Sequence, residues 1–273
     1  MSDFHINGPA DTQNSVPDCV FFPDQASRST RLWVTLAAVA AGGLLGLTLS
    51  PGHVLPLLLV AAFCGGVLST WSPCGYSSIS LLRPSGRGGR ALLRFLPVFA
   101  VHGAGYALGA LVLGSLLGLA GLAFGFGGTA TLGALLTLGL TGLLYGLHQL
   151  DFIRMPYPQR RAQVPHDARQ RFPKWVVSAL YGFSLGLDYL TYVQTPILYL
   201  VTAAAVFSGA LPEAILLIAV FNLGRYLPVA ATLLPVSDAA TQKWLSRHQE
   251  TAAVVDGAIL IAAGVCLGTL ALL

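Results

Sequence analysis

The chain has 273 residues, 55% of them hydrophobic and only 10% charged, with a formal net charge of +4. Soluble domains carry about 25% charged residues, so this composition excludes an ordinary water-soluble globule and makes lipid the solvent for much of the chain. The small basic excess does not point to nucleic acid, because the basic residues sit in short loops between apolar runs, where they set membrane topology.

The expected fold class is all-α, a polytopic membrane helix bundle of about seven transmembrane helices. Residues 1–31 form a polar cytoplasmic tail with four aspartates and no apolar core of a signal peptide. Cys19 lies in this tail, where a reduced thiol is expected. Residues 32–53 hold one helix, Leu32 to Leu49, ended by Ser50-Pro51-Gly52-His53. Residues 54–150 hold three: Val54 to Leu82 with Pro73 inside, Leu92 to Phe124 before Gly125-Phe126-Gly127-Gly128, and Thr129 to Leu150. A basic cytoplasmic loop spans 151–174. Residues 175–273 hold three more: Trp175 to Phe207 with Pro196 inside, Leu211 to about Pro235, and Thr251 to Leu273. Each run reaches or approaches the roughly 20 residues needed to cross a bilayer.

With seven spans, the loop arginines and lysines all fall on one face. Arg28 and Arg31 precede the first span, and Arg83, Arg87, Arg90 and Arg94 flank the second and third. Arg154, Arg160, Arg161, Arg169, Arg171 and Lys174 lie between the fourth and fifth, and Lys243 and Arg247 between the sixth and seventh. The opposite loops carry none. That asymmetry makes the basic face, and the N-terminus, cytoplasmic and the C-terminus periplasmic. Glycine pairs four residues apart, such as Gly42/Gly46, Gly105/Gly109, Gly142/Gly146 and Gly182/Gly186, allow close helix packing in lipid.

Sliding the chain by 119 residues lays span two on span five and span three on span six. Ala100, Val101, Gly105 and Leu108 then fall on Ala219, Val220, Gly224 and Leu227, and Cys74 falls on Val193. Two units of three spans each must point in opposite directions, the inverted-repeat pattern of many carriers. The first helix stands outside the repeat.

Several residues could carry chemistry. Leu68 to Leu82 packs hydroxyls, Pro73 and Cys74 into an apolar span. Proline removes a backbone hydrogen bond, so the break needs protein or a wet cavity around it. Cys74 then faces the bundle interior, either as an inert buried thiol or as a redox group. Pro196 marks a second break. Asp188 and Arg225 lie at membrane depth on adjacent spans, where charges face a partner or a polar cavity. They read either as an ion pair fixing register or as a polar site serving a proton-linked step. Asp256 reads as close enough to the cytoplasmic end to reach the interface, and His102 as a hydrogen-bonded packing residue in preference to a metal ligand. Cys64 is ten residues from Cys74 on one span, roughly 15 Å along a helix, too far for a disulfide. No phosphate-cradling loop, nucleophile elbow or metal motif is present, so no hydrolase, nucleotide-driven pump, cofactor or metal is expected.

The run Gly65-Gly-Val-Leu-Ser-Thr-Trp-Ser-Pro-Cys-Gly75, followed by a basic loop and a glycine-rich span, resembles the DsbD/CcdA superfamily of thiol-reductant membrane carriers. The likeness covers about Leu55 to Leu273 and implies two inverted three-helix repeats, each with a proline-flanked cysteine. Trp71-Ser-Pro-Cys-Gly-Tyr-Ser-Ser-Ile-Ser-Leu-Leu-Arg-Pro84 and the extra first helix are most similar to the MauF family of methylamine-utilisation membrane proteins. That resemblance implies an inner-membrane protein, not itself an enzyme, that assists export, folding or maturation of the disulfide-rich, quinone-bearing small subunit of periplasmic methylamine dehydrogenase. The implied partners are the bilayer, other methylamine-utilisation membrane and thiol proteins, and that subunit. One departure stands out: Val193 occupies the position of the carriers' second cysteine, and dithiol exchange needs a resolving thiol. A thiol-reductant carrier and a small-solute or metal transporter on the same scaffold are the competing readings.

Overall fold

The computed structural model describes residues 26–71, 89–158, 171–233 and 238–273. Among these the regular structure is entirely helical: α1 Arg28–Thr48, α2 Val54–Leu68, α3 Gly89–Ala123, α4 Leu132–Gln149, α5 Lys174–Gly186, α6 Ile197–Phe207, α7 Leu211–Tyr226 and α8 Asp238–Leu272. Five segments are long and apolar enough to cross a membrane: Arg28–Thr48, Pro51–Trp71, Leu93–Ala123, Leu211–Ala230 and Lys243–Leu272. The chain is a multi-pass membrane helix bundle. The 18-residue α4 carries no charged residue, and α5 and α6 are two halves of one run parted by residues 187–196.

Local chemistry sets the ends. The Ser27 side chain accepts from the Thr30 backbone N–H at 3.2 Å and starts α1. Gly125 and Gly128 turn the chain from α3 into α4 at φ of 70° and 113°, values that tolerate no side chain easily. Pro97 lies inside α3 without ending it. Helix α8 begins at Asp238, well before the apolar run at Thr251, because its first turns pack through Leu245 and through Trp244 against Trp71, ring centroids 5.7 Å apart.

Glycine-mediated crossings hold the bundle together and fix relative directions. A Cβ on Gly42 would meet Ala262, and one on Gly46 would meet Thr269, so α1 runs parallel to α8. Gly139 faces Gly264 and Gly268, while Gly146 faces Gly257, so α4 runs antiparallel to α8. Gly105 sits on Gly182 and Gly109 on Gly186, making α3 and α5 parallel. Gly114 sits on Ile215 and Gly118 on Leu211, making α3 and α7 antiparallel.

The α3–α5 crossing has an equivalent between α2 and α7. A Cβ on Gly105 would meet the Ala179 carbonyl oxygen at 2.6 Å and the Gly182 carbonyl carbon at 3.0 Å. One on Gly224 would meet the Phe63 carbonyl oxygen, and the Gly66 Cα at 3.1 Å. Gly105 and Gly224 are 119 positions apart, whereas Gly66 and Gly182, like Phe63 and Ala179, are 116 apart. The packing therefore matches the 119-residue offset on α3 and α7 and a three-residue slip from it on α2 and α5.

The basic residues gather at one set of helix ends, while Glu213 starts α7 at the other. Arg31 at the start of α1 bonds Asp151, just beyond α4, and Glu250 on α8 at 3.0 Å. The Ala26 backbone N–H also donates to Glu250 at 2.9 Å. At the other end, uncharged Gly209 packs on the Phe126 backbone.

Candidate functional site

Pro73 and Cys74 lie outside the described residues; the described part of that run stops at Trp71. Pro196, Asp188 and Arg225 all lie at or against the interruption between α5 and α6. The sequence suggests a break at the proline, but the helix already stops at Gly186, ten residues earlier. Pro196 instead stands at the start of α6, where a missing N–H costs nothing because the first helical N–H groups have no partners within the helix.

Asp188 turns the chain out of α5 at φ 54°, a left-handed conformation that aspartate adopts more readily than most residues. Its carboxylate accepts from Arg225 Nη1 at 2.6 Å and from Asn222 Nδ2 at 3.1 Å. Arg225 Nη1 also donates to the Leu185 carbonyl at 2.8 Å, and Asn222 Nδ2 to the Gly186 carbonyl at 3.2 Å. The last carbonyls of a helix lack intrahelical partners and gather negative potential. Arg225 and Asn222, one turn apart on α7, satisfy them for α5. The Asp188 and Arg225 side chains are 0% and 2% exposed, so the pair is fully desolvated. It neutralises itself and locks α7 onto the end of α5.

The far side of the break is held differently. Thr195 Oγ1 accepts from the Ile197 N–H at 3.2 Å, capping α6, and donates to Asp256 Oδ1. Asp256 is 1% exposed, and its Oδ2 has no hydrogen-bond partner among the described residues. The sequence reading that let Asp256 reach the interface is corrected here. Because α8 starts at Asp238, Asp256 lies about five turns into the helix.

The two residues before Thr195 are also tied down. Tyr157 Oη donates to the Val193 carbonyl at 2.9 Å, and Gln249 Nε2 to Gln194 Oε1 at 3.3 Å. Tyr157, in the segment after α4, has its phenol raised by burial far above its ordinary value of 10.0, so it stays a donor. Its ring meets Tyr199 edge-on at 5.2 Å, and Tyr145 stacks on Tyr199 at 4.8 Å. Val193, Gln194 and Thr195 are thus held by three different partners.

His102 lies at the α3–α5 crossing. Its Nδ1 bonds the Ser178 carbonyl at 2.9 Å, Ser178 Oγ donates to the Val98 carbonyl at 2.8 Å, and Tyr106 meets the imidazole edge-on at 5.1 Å. These contacts tie the ring to the crossing, and its Nε2 is buried with no hydrogen-bond partner among the described residues. No group of three or more His, Cys, Asp or Glu that could hold a metal occurs among the described residues. Cys64 and Cys266 are free thiols, the latter fully buried. Neither repeat offset offers Cys74 a matching cysteine, since 119 gives Val193 and 116 gives Leu190.

Sequence reasoning missed Asn222, Thr195, Tyr157 and the Gln194–Gln249 pair. Two signals were available: Asn222 lies three residues before Arg225 and so on the same helix face, and Thr195 stands just before a proline-started helix, a capping position.

Comparison with known proteins settles the family. The methylamine utilization protein MauF of Paracoccus versutus is 64% identical over 259 residues, covering 95% of this chain and 94% of that protein. The chain belongs to the MauF family. The MauF of Paracoccus denitrificans is 61% identical over 272 residues, with 98% of each chain covered. The MauF of Methylorubrum extorquens is 58% identical over 264 residues, with 94% of this chain and 92% of that one covered. No family model matches the chain, and no solved structure matches it.

Proposed function

We propose that this chain is a multi-pass inner-membrane protein of methylamine utilisation that assists biogenesis of periplasmic methylamine dehydrogenase. It acts on export, folding or maturation of the disulfide-rich, quinone-bearing small subunit and is not itself an enzyme. The observation that carries the reading is the near-full-length identity to proteins named for methylamine utilization. Its partners are the bilayer, that subunit and other membrane and thiol proteins of the same system. The bundle crosses the membrane seven times, counting α5 and α6 as one interrupted span, as two inverted three-helix units plus α1. The alternating helix directions and the basic loop residues gathered at one end support this count. They favour a cytoplasmic N-terminus and a periplasmic C-terminus. Deleting the gene tests the function. Mature small subunit is expected to disappear from the periplasm while growth on other substrates persists, and normal levels of mature subunit would end the reading.

A second reading, a small-solute carrier on the same scaffold, is favoured by the unwound stretch 187–196 with carboxylates at both ends. Uptake into vesicles discriminates it. A thiol-reductant carrier needs a second sulfur near Cys74, and full activity of Cys74→Ser would remove it.

A further inference from the structure

Among the described residues, three carboxylates have cationic partners: Asp151 and Glu250 share Arg31, and Asp188 holds Arg225. Asp256 is nearly as buried as Asp188 and has no cationic partner among the described residues. Among the described residues its one hydrogen bond comes from Thr195, and Oδ2 has no partner. An ionised carboxylate buried without a counter-ion is costly at membrane depth.

Among the described residues, no cation pairs with it. Tyr157, from the segment after α4, lies near it and bonds the Val193 carbonyl, and its ring meets Tyr192 and Tyr199 of the interrupted span. His148, at the end of α4, has its Nδ1 occupied by the Ile153 and Met155 backbone. Helix α2 carries no charged side chain, only the Cys64 thiol. On α1 the nearest cation is Arg31, already engaged by Asp151 and Glu250.

A polar route reaches Asp256 from the charged end of α8. Glu250 lies six residues away, about 9 Å at roughly 1.5 Å per residue. Beside it, Gln249 bonds Gln194, and the next residue of the break, Thr195, bonds Asp256. A metal ion would need several oxygen ligands, whereas a proton needs only Oδ2.

We infer that Asp256 is a proton-binding site, with the proton on Oδ2 while Oδ1 accepts from Thr195, and that its occupancy decides whether the interrupted span stays docked on α8. Uptake forms one O–H bond and cancels one negative charge; release returns the proton to water at the Gln194–Gln249 end. The ionised carboxylate must be solvated, so water enters and the start of α6 loosens. This goes beyond the proposed function and stands or falls without regard to the cargo.

Infrared spectroscopy of the full chain in lipid nanodiscs, titrated from acid to alkaline pH, tests it. The expected result is a protonated-carboxyl C=O band at neutral pH that is lost at alkaline pH and is missing from Asp256→Asn. Backbone deuterium exchange over 187–196 should rise about tenfold as the band is lost, and should not respond to pH in the variant. In Thr195→Val the band should remain but shift, because Oδ1 loses its donor. Absence of the band across the pH range in which the protein stays folded would overturn the inference. So would its survival in Asp256→Asn, an unshifted band in Thr195→Val, or a band that follows sodium concentration at fixed pH.

Discussion

Arg225 serves two acceptors with one guanidinium nitrogen, the Asp188 carboxylate and the open end of α5. Removing one member of a buried ion pair leaves an uncompensated charge and typically costs about 3–5 kcal/mol. Arg225→Leu is therefore expected to lower the thermal midpoint in detergent or nanodiscs steeply. Adding Asp188→Asn should recover a large part of the loss, because the stranded charge is gone and Asn222 can still bond the new amide. A double variant as unstable as the single one would show that the Leu185 carbonyl, and not the ion pair, sets the cost. The pairing of these two residues was legible because charges are rare in the spans and the two lie on neighbouring ones. The capping function was not legible, since it depends on α5 stopping at Gly186, before any sequence break signal. Asp256 was misread for a related reason: its depth depends on where α8 begins, and polar residues from Asp238 onward hide a helix start.

Among the helices, glycines divide into those that permit a crossing and those that face outward. A Cβ at Gly66 would collide with the backbone of Phe221 and come within 2.9 Å of the Gly224 Cα, so α2 and α7 would have to separate. Gly43, one residue from the packed Gly42, has nothing within 4 Å. Gly66→Val is expected to destabilise the fold by about 1–3 kcal/mol, the range for overpacking. Gly43→Val should stay within about 0.5 kcal/mol. Thermal unfolding of both variants checks the contrast, and equal losses would mean that Gly43 also packs against protein. The all-helical, apolar character of the chain and the turns after α1 and α3 could be read from hydropathy and punctuation. The three-residue slip between the α2–α7 and α3–α5 crossings could not, because glycine spacing reports that helices approach but not which turn meets which.

For the whole molecule, topology follows from parity. Reporters fused to the two ends are expected to report from opposite compartments, the N-terminal one cytoplasmic and the C-terminal one periplasmic. The same compartment for both would require an even number of crossings and break the one-faced distribution of arginine and lysine. Among the described helices, the first packs chiefly against the last, through Gly42 and Gly46 on Ala262 and Thr269 and through the Arg31–Glu250 pair. Ribosomes deliver a chain from its N-terminus, so α1 enters the bilayer with its docking groove not yet synthesised. Until α8 emerges, two small-residue notches face acyl chains instead of helix backbone, and Arg31 has only half of its eventual anionic company. Completion of the protein is thus sensed mechanically at its beginning. A chain cut short before α8 should present a loosely tethered leading helix to the quality-control proteases of the membrane.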